Sequence, residues 1–78
     1  MTLPVGTRIR VRKHWLVEGF TGTVQAHRDD RLAQARNDVL LDQPWVETHS
    51  PELEFCRRMF FDDWALEALP AVTPKIRH

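Results

Sequence analysis

The sequence has no tyrosine, one cysteine, three glycines and no formal net charge. Cys56 alone cannot close an intramolecular disulfide, and no second thiol is present to complete a thiolate zinc site, so a reducing, cytoplasmic setting is expected. No stretch approaches the roughly 20 consecutive apolar residues of a membrane span. The opening Met1-Thr2-Leu3-Pro4-Val5-Gly6 has neither the basic start nor the apolar core of a secretory leader, and none is expected. Eleven Lys and Arg against eleven Asp and Glu point to neither a nucleic-acid coat nor a polyanion partner. The chain also lacks repeats, low-complexity tracts, a phosphate-cradling loop, a C-x-x-C pair, an i, i+4 histidine pair and the Asp-x-Asp-x-Asp-Gly spacing of a calcium loop. Neither a metal, a cofactor nor catalysis is therefore expected.

What is present is material for one compact unit. Of 78 residues, 42% are hydrophobic and 28% charged, with three Trp and four Phe to fill a core. A chain this short buries only about 60 to 65% of the surface its unfolded form exposes, which excludes the large α/β enzyme architectures. Residues 1–70 are read as one domain. Residues 71–78, following Pro70 and containing Pro74, read as a flexible tail.

Val5, Thr7, Ile9 and Val11 alternate with Gly6, Arg8, Arg10 and Arg12, the period of two of a strand with one buried face. Residues 13–20 break that period and read as an irregular loop folding back over the core. Thr21 to His27 resumes a strand, with Val24 and Ala26 inward and Thr23, Gln25 and His27 outward. Residues 28–37 are polar and fit either a turn or two of helix, with Asp29 and Asp30 as caps, or a hairpin loop. Asp38 to Asp42 is a third strand. The segment 43–57 is too long for a tight turn and unusually apolar, and Ser50-Pro51-Glu52 has the signature of a single helical turn. Arg58 to Phe61 is a fourth strand, Asp62-Asp63-Trp64 a tight turn and Ala65 to Leu69 a fifth strand. Five short strands in under 70 residues predict an all-β fold, a small SH3-like five-stranded barrel with a long insertion before its fourth strand.

The order Val5-Gly6-Thr7-Arg8-Ile9-Arg10-Val11, Gly19-Phe20-Thr21-Gly22-Thr23-Val24, Leu41-Asp42 and Phe60-Phe61-Asp62-Asp63-Trp64-Ala65-Leu66-Glu67-Ala68-Leu69 resembles the SH3-like barrels of the nitrile hydratase beta-subunit and electron-transfer accessory type, and more loosely the KOW-type barrels. The resemblance implies a scaffold or accessory subunit docking on a larger metallo- or redox enzyme. It brings no catalytic residue with it.

Two surfaces are candidates for binding. Trp45, Val46, Leu53 and Phe55 lie in the insertion, where they either fold back as a lid over the barrel or stay exposed as an apolar anchor for a larger protein partner. Arg8, Arg10, Arg12 and Lys13, followed by His14 and Trp15, form a stripe that could neutralise phosphates and stack a base, which makes an RNA- or DNA-binding barrel the alternative. The bland reading of that stripe is that acids from neighbouring strands pair with it, and barrel closure would set Glu67 against Arg10. Asp29, Asp30, Asp38, Asp42, Asp62 and Asp63, and His14, His27, His49 and Cys56, lack a metal-site spacing and read as turn, surface or structural residues. Edge strands on so small a barrel also leave a homo-oligomer open.

Overall fold

The computed structural model describes residues 3–28 and 37–70. They form β1 (Arg8–Val11), β2 (Thr21–His27), β3 (Asn37–Leu41), β4 (Arg58–Phe61) and β5 (Leu66–Ala68), with 3-10 turns at Glu54–Cys56 and Asp63–Ala65. The strands make one antiparallel sheet in the order β4-β3-β2-β1-β5, the expected all-β, barrel-like fold. Among the described residues β4 and β5 are its edges, and no hydrogen-bonded pairing joins them. The 3-10 turn Asp63–Ala65 links one edge to the other, with Ala65 buried and its carbonyl accepting the Arg12 N–H at 2.7 Å. Both the expected tail and most of the polar segment after Arg28 lie outside the described residues.

One core takes a side chain from every strand. Ile9 and Val11 of β1, Val24 of β2, Val39 and Leu41 of β3, Phe61 of β4 and Leu66 of β5 pack with Val17 and Ala65. Leu3, Phe20, Trp45 and Met59 are half-buried against them. Val17 comes from the β1–β2 loop, which does fold back as expected: the Gly19 N–H donates to the Val11 carbonyl and the Val11 N–H to the Phe20 carbonyl, each at 2.8 Å.

Several local readings need correction, among them the fifth strand, which spans Leu66–Ala68 rather than Ala65 to Leu69 because Ala65 closes the 3-10 turn. The first strand begins at Arg8 rather than Val5, which is 59% exposed. The Thr7 N–H donates to the Pro4 carbonyl at 3.1 Å across Gly6, whose φ is 91°, so Pro4 to Thr7 close a type II turn with glycine where φ must be positive. In β2, Val24 opposes Val39 and Ala26 opposes Asp38, so two residues of β2 match one of β3. That bulge at Gln25 reverses the alternation, and Ala26 falls opposite Asp38 on the outer side instead of inward. Finally, the helical signature at Ser50 yields a turn, with the Leu53 N–H on the Ser50 carbonyl at 3.1 Å, and the 3-10 turn follows four residues later without a side-chain cap.

β3 starts at Asn37, one residue earlier than the aliphatic run suggests, and Asn37 is fully buried. Its Nδ2 donates to the Phe61 carbonyl at 3.1 Å and to Asp63 Oδ1 at 2.6 Å, which ties the start of β3 to the segment leaving β4. Its Oδ1 has no hydrogen-bond partner among the described residues.

Candidate functional site

Strand register decides which loops share an end of the sheet. Arg10 opposes Thr21, Gly22 opposes Leu41, Leu40 opposes Arg58 and Val11 opposes Leu66. The end of β1, the start of β2, the end of β3, the start of β4 and the start of β5 therefore lie together. From this end emerge the β1–β2 loop 12–20 and the β3–β4 insertion 42–57, and the turn bearing Trp64 leads into it. Among the described residues eight large apolar side chains are exposed, and six of them, Trp15, Leu16, Val46, Leu53, Phe55 and Trp64, belong to these segments. Such concentration at one end is what separates an interaction surface from scattered exposure.

The insertion divides its candidate residues between the core and the solvent. Its arms are tied at the base, with the Trp45 N–H on the Cys56 carbonyl at 2.9 Å and the Leu41 N–H on the Arg57 carbonyl at 2.7 Å. Trp45 is half-buried on the core, and its indole Nε1 donates to the Arg58 carbonyl at 2.9 Å. Val46, Leu53 and Phe55 face outward, Phe55 with 68% of its surface exposed. An open cleft of about 560 Å³ is lined by Val46 together with Pro44, Glu47, Thr48 and His49. Glu47, Glu52 and Glu54 are exposed in the same segment and make no ion pair among the described residues, although the charge of Glu54 acts on Arg58.

The basic stripe divides too. Arg8 grips Asp42 with two guanidinium nitrogens at 2.8 and 2.5 Å and donates to Thr23 Oγ1 at 2.9 Å, while Thr21 Oγ1 donates to Asp42 at 2.5 Å. Hydrogen bonds from Arg8 hold the Asp42 carboxyl down to about 2; partial burial opposes this, and Thr21 and the charges of Arg8 and Arg57 reinforce it. The same pairing pushes Arg8 further above the range in which it could lose its proton. Arg10 lies 3.6 Å from Glu67 on β5, as barrel closure predicts. Arg12 and Lys13, past the end of β1, are exposed and without such a partner among the described residues.

The β1–β2 loop presents its tryptophan for a local reason. His14 Nδ1 accepts the N–H groups of Leu16 at 3.0 Å and Val17 at 3.3 Å, and the tight turn this makes drives Val17 inward. The His14 ring meets Phe61 edge-on at 5.7 Å and stacks on Trp15 at 5.7 Å, leaving Trp15 87% exposed. Trp64 is 66% exposed, adjoins Ala65 and so the start of this loop, and donates from Nε1 to Asp62 at 3.3 Å. It was not singled out in the sequence; the available signal was an aromatic residue in a tight turn, where no strand position exists to bury it.

Of the scattered acids and histidines, Asp38 and His27 hold structural contacts, while Asp29 and Asp30 lie outside the described residues. Asp38 takes a bidentate pair from Arg58 at 3.2 and 2.8 Å, and His27 bonds the Leu3 carbonyl. Among the described residues no group of three or more His, Cys, Asp or Glu could hold a metal ion, and no helix is long and apolar enough to cross a membrane. Comparison with protein families, curated proteins and solved structures found no match to this chain.

Proposed function

We propose that the protein is a non-catalytic, cytoplasmic protein-binding module that docks through the loop-bearing end of its sheet, with Leu53 and Phe55 as anchors and Val46 at the adjoining cleft. The observation that carries this reading is the division of the insertion. One aromatic, Trp45, is turned onto the core, while the other, Phe55, is held in solvent on arms tied at their base. An aromatic held out by a fixed segment loses little conformational entropy on binding and buries a large area, which is how hot-spot residues act. An accessory role on a larger metallo- or redox enzyme is the form of this reading that the resemblance favours.

The nucleic-acid reading keeps Arg12, Lys13 and Trp15, but Arg8 and Arg10 are already engaged by Asp42 and Glu67. Two cations and an indole release few counterions, so such binding would be weak, with a shallower salt dependence than a contact to many phosphates.

Immobilised wild-type protein is compared with the Leu53→Asp and Phe55→Asp variants for retention of proteins from the native cell. Bands held by the wild type at both low and high salt, and lost from both variants, are the expected outcome. Equal retention by all three proteins sinks the reading. Retention of nucleic acid at low salt that Arg12→Ala and Trp15→Ala abolish would favour the alternative.

A further inference from the structure

The geometry points to a second copy of this chain as the occupant of the docking end, related to the first by a two-fold axis that sets the basic loop of each copy on the acidic insertion of the other. This inference rests on the docking reading above and names its partner.

The docking end is electrically divided. Loop 12–20 carries Arg12 and Lys13 against one carboxylate, Glu18, while residues 43–57 carry Glu47, Glu52 and Glu54 against one cation, Arg57. Both groups leave the same end of the sheet, the first at β1 and the second at β3 and β4. β2 stands between β1 and β3, so their points of exit are two strand spacings, roughly 10 Å, apart. A surface positive on one side and negative on the other is self-complementary under a two-fold rotation about an axis between the sides. Each ionic contact then forms twice, as in an isologous dimer. The apolar groups follow the same division, so the rotation brings Trp15 of one copy toward Val46, Leu53 and Phe55 of the other. Aromatic and aliphatic anchors would thus sit at the centre, with charges at the rim setting orientation.

The alternatives explain less. A larger acidic partner would satisfy Arg12 and Lys13 but oppose Glu47, Glu52 and Glu54, and a basic one the reverse. A second copy satisfies both sides with one interface. Glu18, beside the basic group, Arg57, whose charge is directed toward Asp42, and Arg58, bound to Asp38 but also felt by Glu54, reduce the separation of charge without reversing it.

The test is sedimentation equilibrium of the full chain from about 10 µM to about 500 µM, a range that brackets a weak dimer, at about 0.05 M and about 0.5 M salt. The wild type is expected to form a dimer that salt weakens. Two charge-reversed variants, Arg12→Glu with Lys13→Glu and Glu52→Lys with Glu54→Lys, should each self-associate about tenfold or more weakly, since in each both sides now carry one sign. Mixed in equal amounts they should pair with each other, because the net acidic face of one meets the net basic face of the other. Variants that failed through misfolding would not recover on mixing, and circular dichroism of each checks the fold. A monomeric wild type at the highest concentration overturns the proposal and leaves the docking reading to the retention test. A dimer that neither reversal weakens, or a mixture that stays monomeric, also overturns it.

Discussion

Replacing Gly22 by alanine tests the packing of β2 against β3. Gly22 is buried and faces inward, and a Cβ built there lies 2.6 Å from the Leu40 carbonyl oxygen, 3.0 Å from Leu41 Cα and 3.0 Å from Val39 Cγ1. Two of these three atoms are backbone, which no rotamer change can move. An ordinary carbon–oxygen approach between strands is about 3.3 Å, so β2 must retreat by roughly 0.7 Å at the residue that pairs with Ile9 on one side and Leu41 on the other. Overpacking of this kind costs about 1 to 3 kcal/mol. The lower entropy of the unfolded alanine chain returns about 0.4 to 1 kcal/mol. The balance centres on a net loss of about 1.3 kcal/mol, which should lower the melting temperature by about 5 to 10 °C in a domain of this size. Gly6 supplies the contrast, because a Cβ there meets nothing within 4 Å and the only obstacle is its φ of 91°. At Gly6, asparagine should be tolerated better than alanine, since it accepts the left-handed region. At Gly22 the order must reverse, since the larger side chain meets the same backbone. Thermal melts of the four variants followed by circular dichroism give the answer. A Gly22→Ala protein melting within about 2 °C of wild type would refute the close approach.

Further outcomes follow from the other contacts. Trp45→Ala should destabilise the fold by about 2 to 3 kcal/mol, less than a fully buried Trp, whereas Phe55→Ser should stay within about 0.5 kcal/mol; denaturant titration separates lid from anchor, and equal losses would contradict their assignment. The Asp42 carboxyl is depressed to about 2 in the folded state, so its contribution is complete above its ordinary value near 4 and is lost as pH falls from there through about 2. Because the pair is about half exposed, that contribution is about 1 kcal/mol after solvent screening. Asp42→Asn should remove it at pH 7 and flatten stability between pH 4 and pH 2, as acid titration of both proteins will show. Asn37→Asp places a carboxylate against the Phe61 carbonyl and Asp63, replacing a donor by an acceptor in a fully buried site. It should lose about 2 kcal/mol or more at neutral pH, and urea midpoints at pH 7 and pH 4 should show the loss shrinking as the new acid protonates.

The strands most legible in the sequence were those whose ends carry a local signal. Thr21–His27 starts beside Gly19 and Gly22, and Arg58–Phe61 ends at Asp62; both have the bounds their composition suggests. The alternation of residues 5–11 misled at Val5 because a turn through Gly6 keeps the same spacing while turning the chain away. Ala26 misled because a bulge changes phase without changing any residue type. The candidate site was legible as a list of residues and not as a surface. Asp42 lies 34 positions from Arg8 in sequence, and only the register shows that it removes Arg8 from the basic stripe. Likewise, nothing local distinguishes Trp45 from Phe55; a hydrogen bond to the Arg58 carbonyl and a place on the core decide between them.

The buried thiol of Cys56 gives the insertion a chemical clock. Cys56 closes the 3-10 turn at the foot of the loop, is 3% exposed, and its carbonyl holds the Trp45 N–H. Its sulfur can meet a thiol reagent only when those arms part. In a chain with one cysteine, the rate of labelling therefore counts openings of a single segment, with no second thiol to confuse the signal. Any ligand that seats on Phe55 and holds the arms closed should slow that clock, making occupancy measurable without a label on the partner.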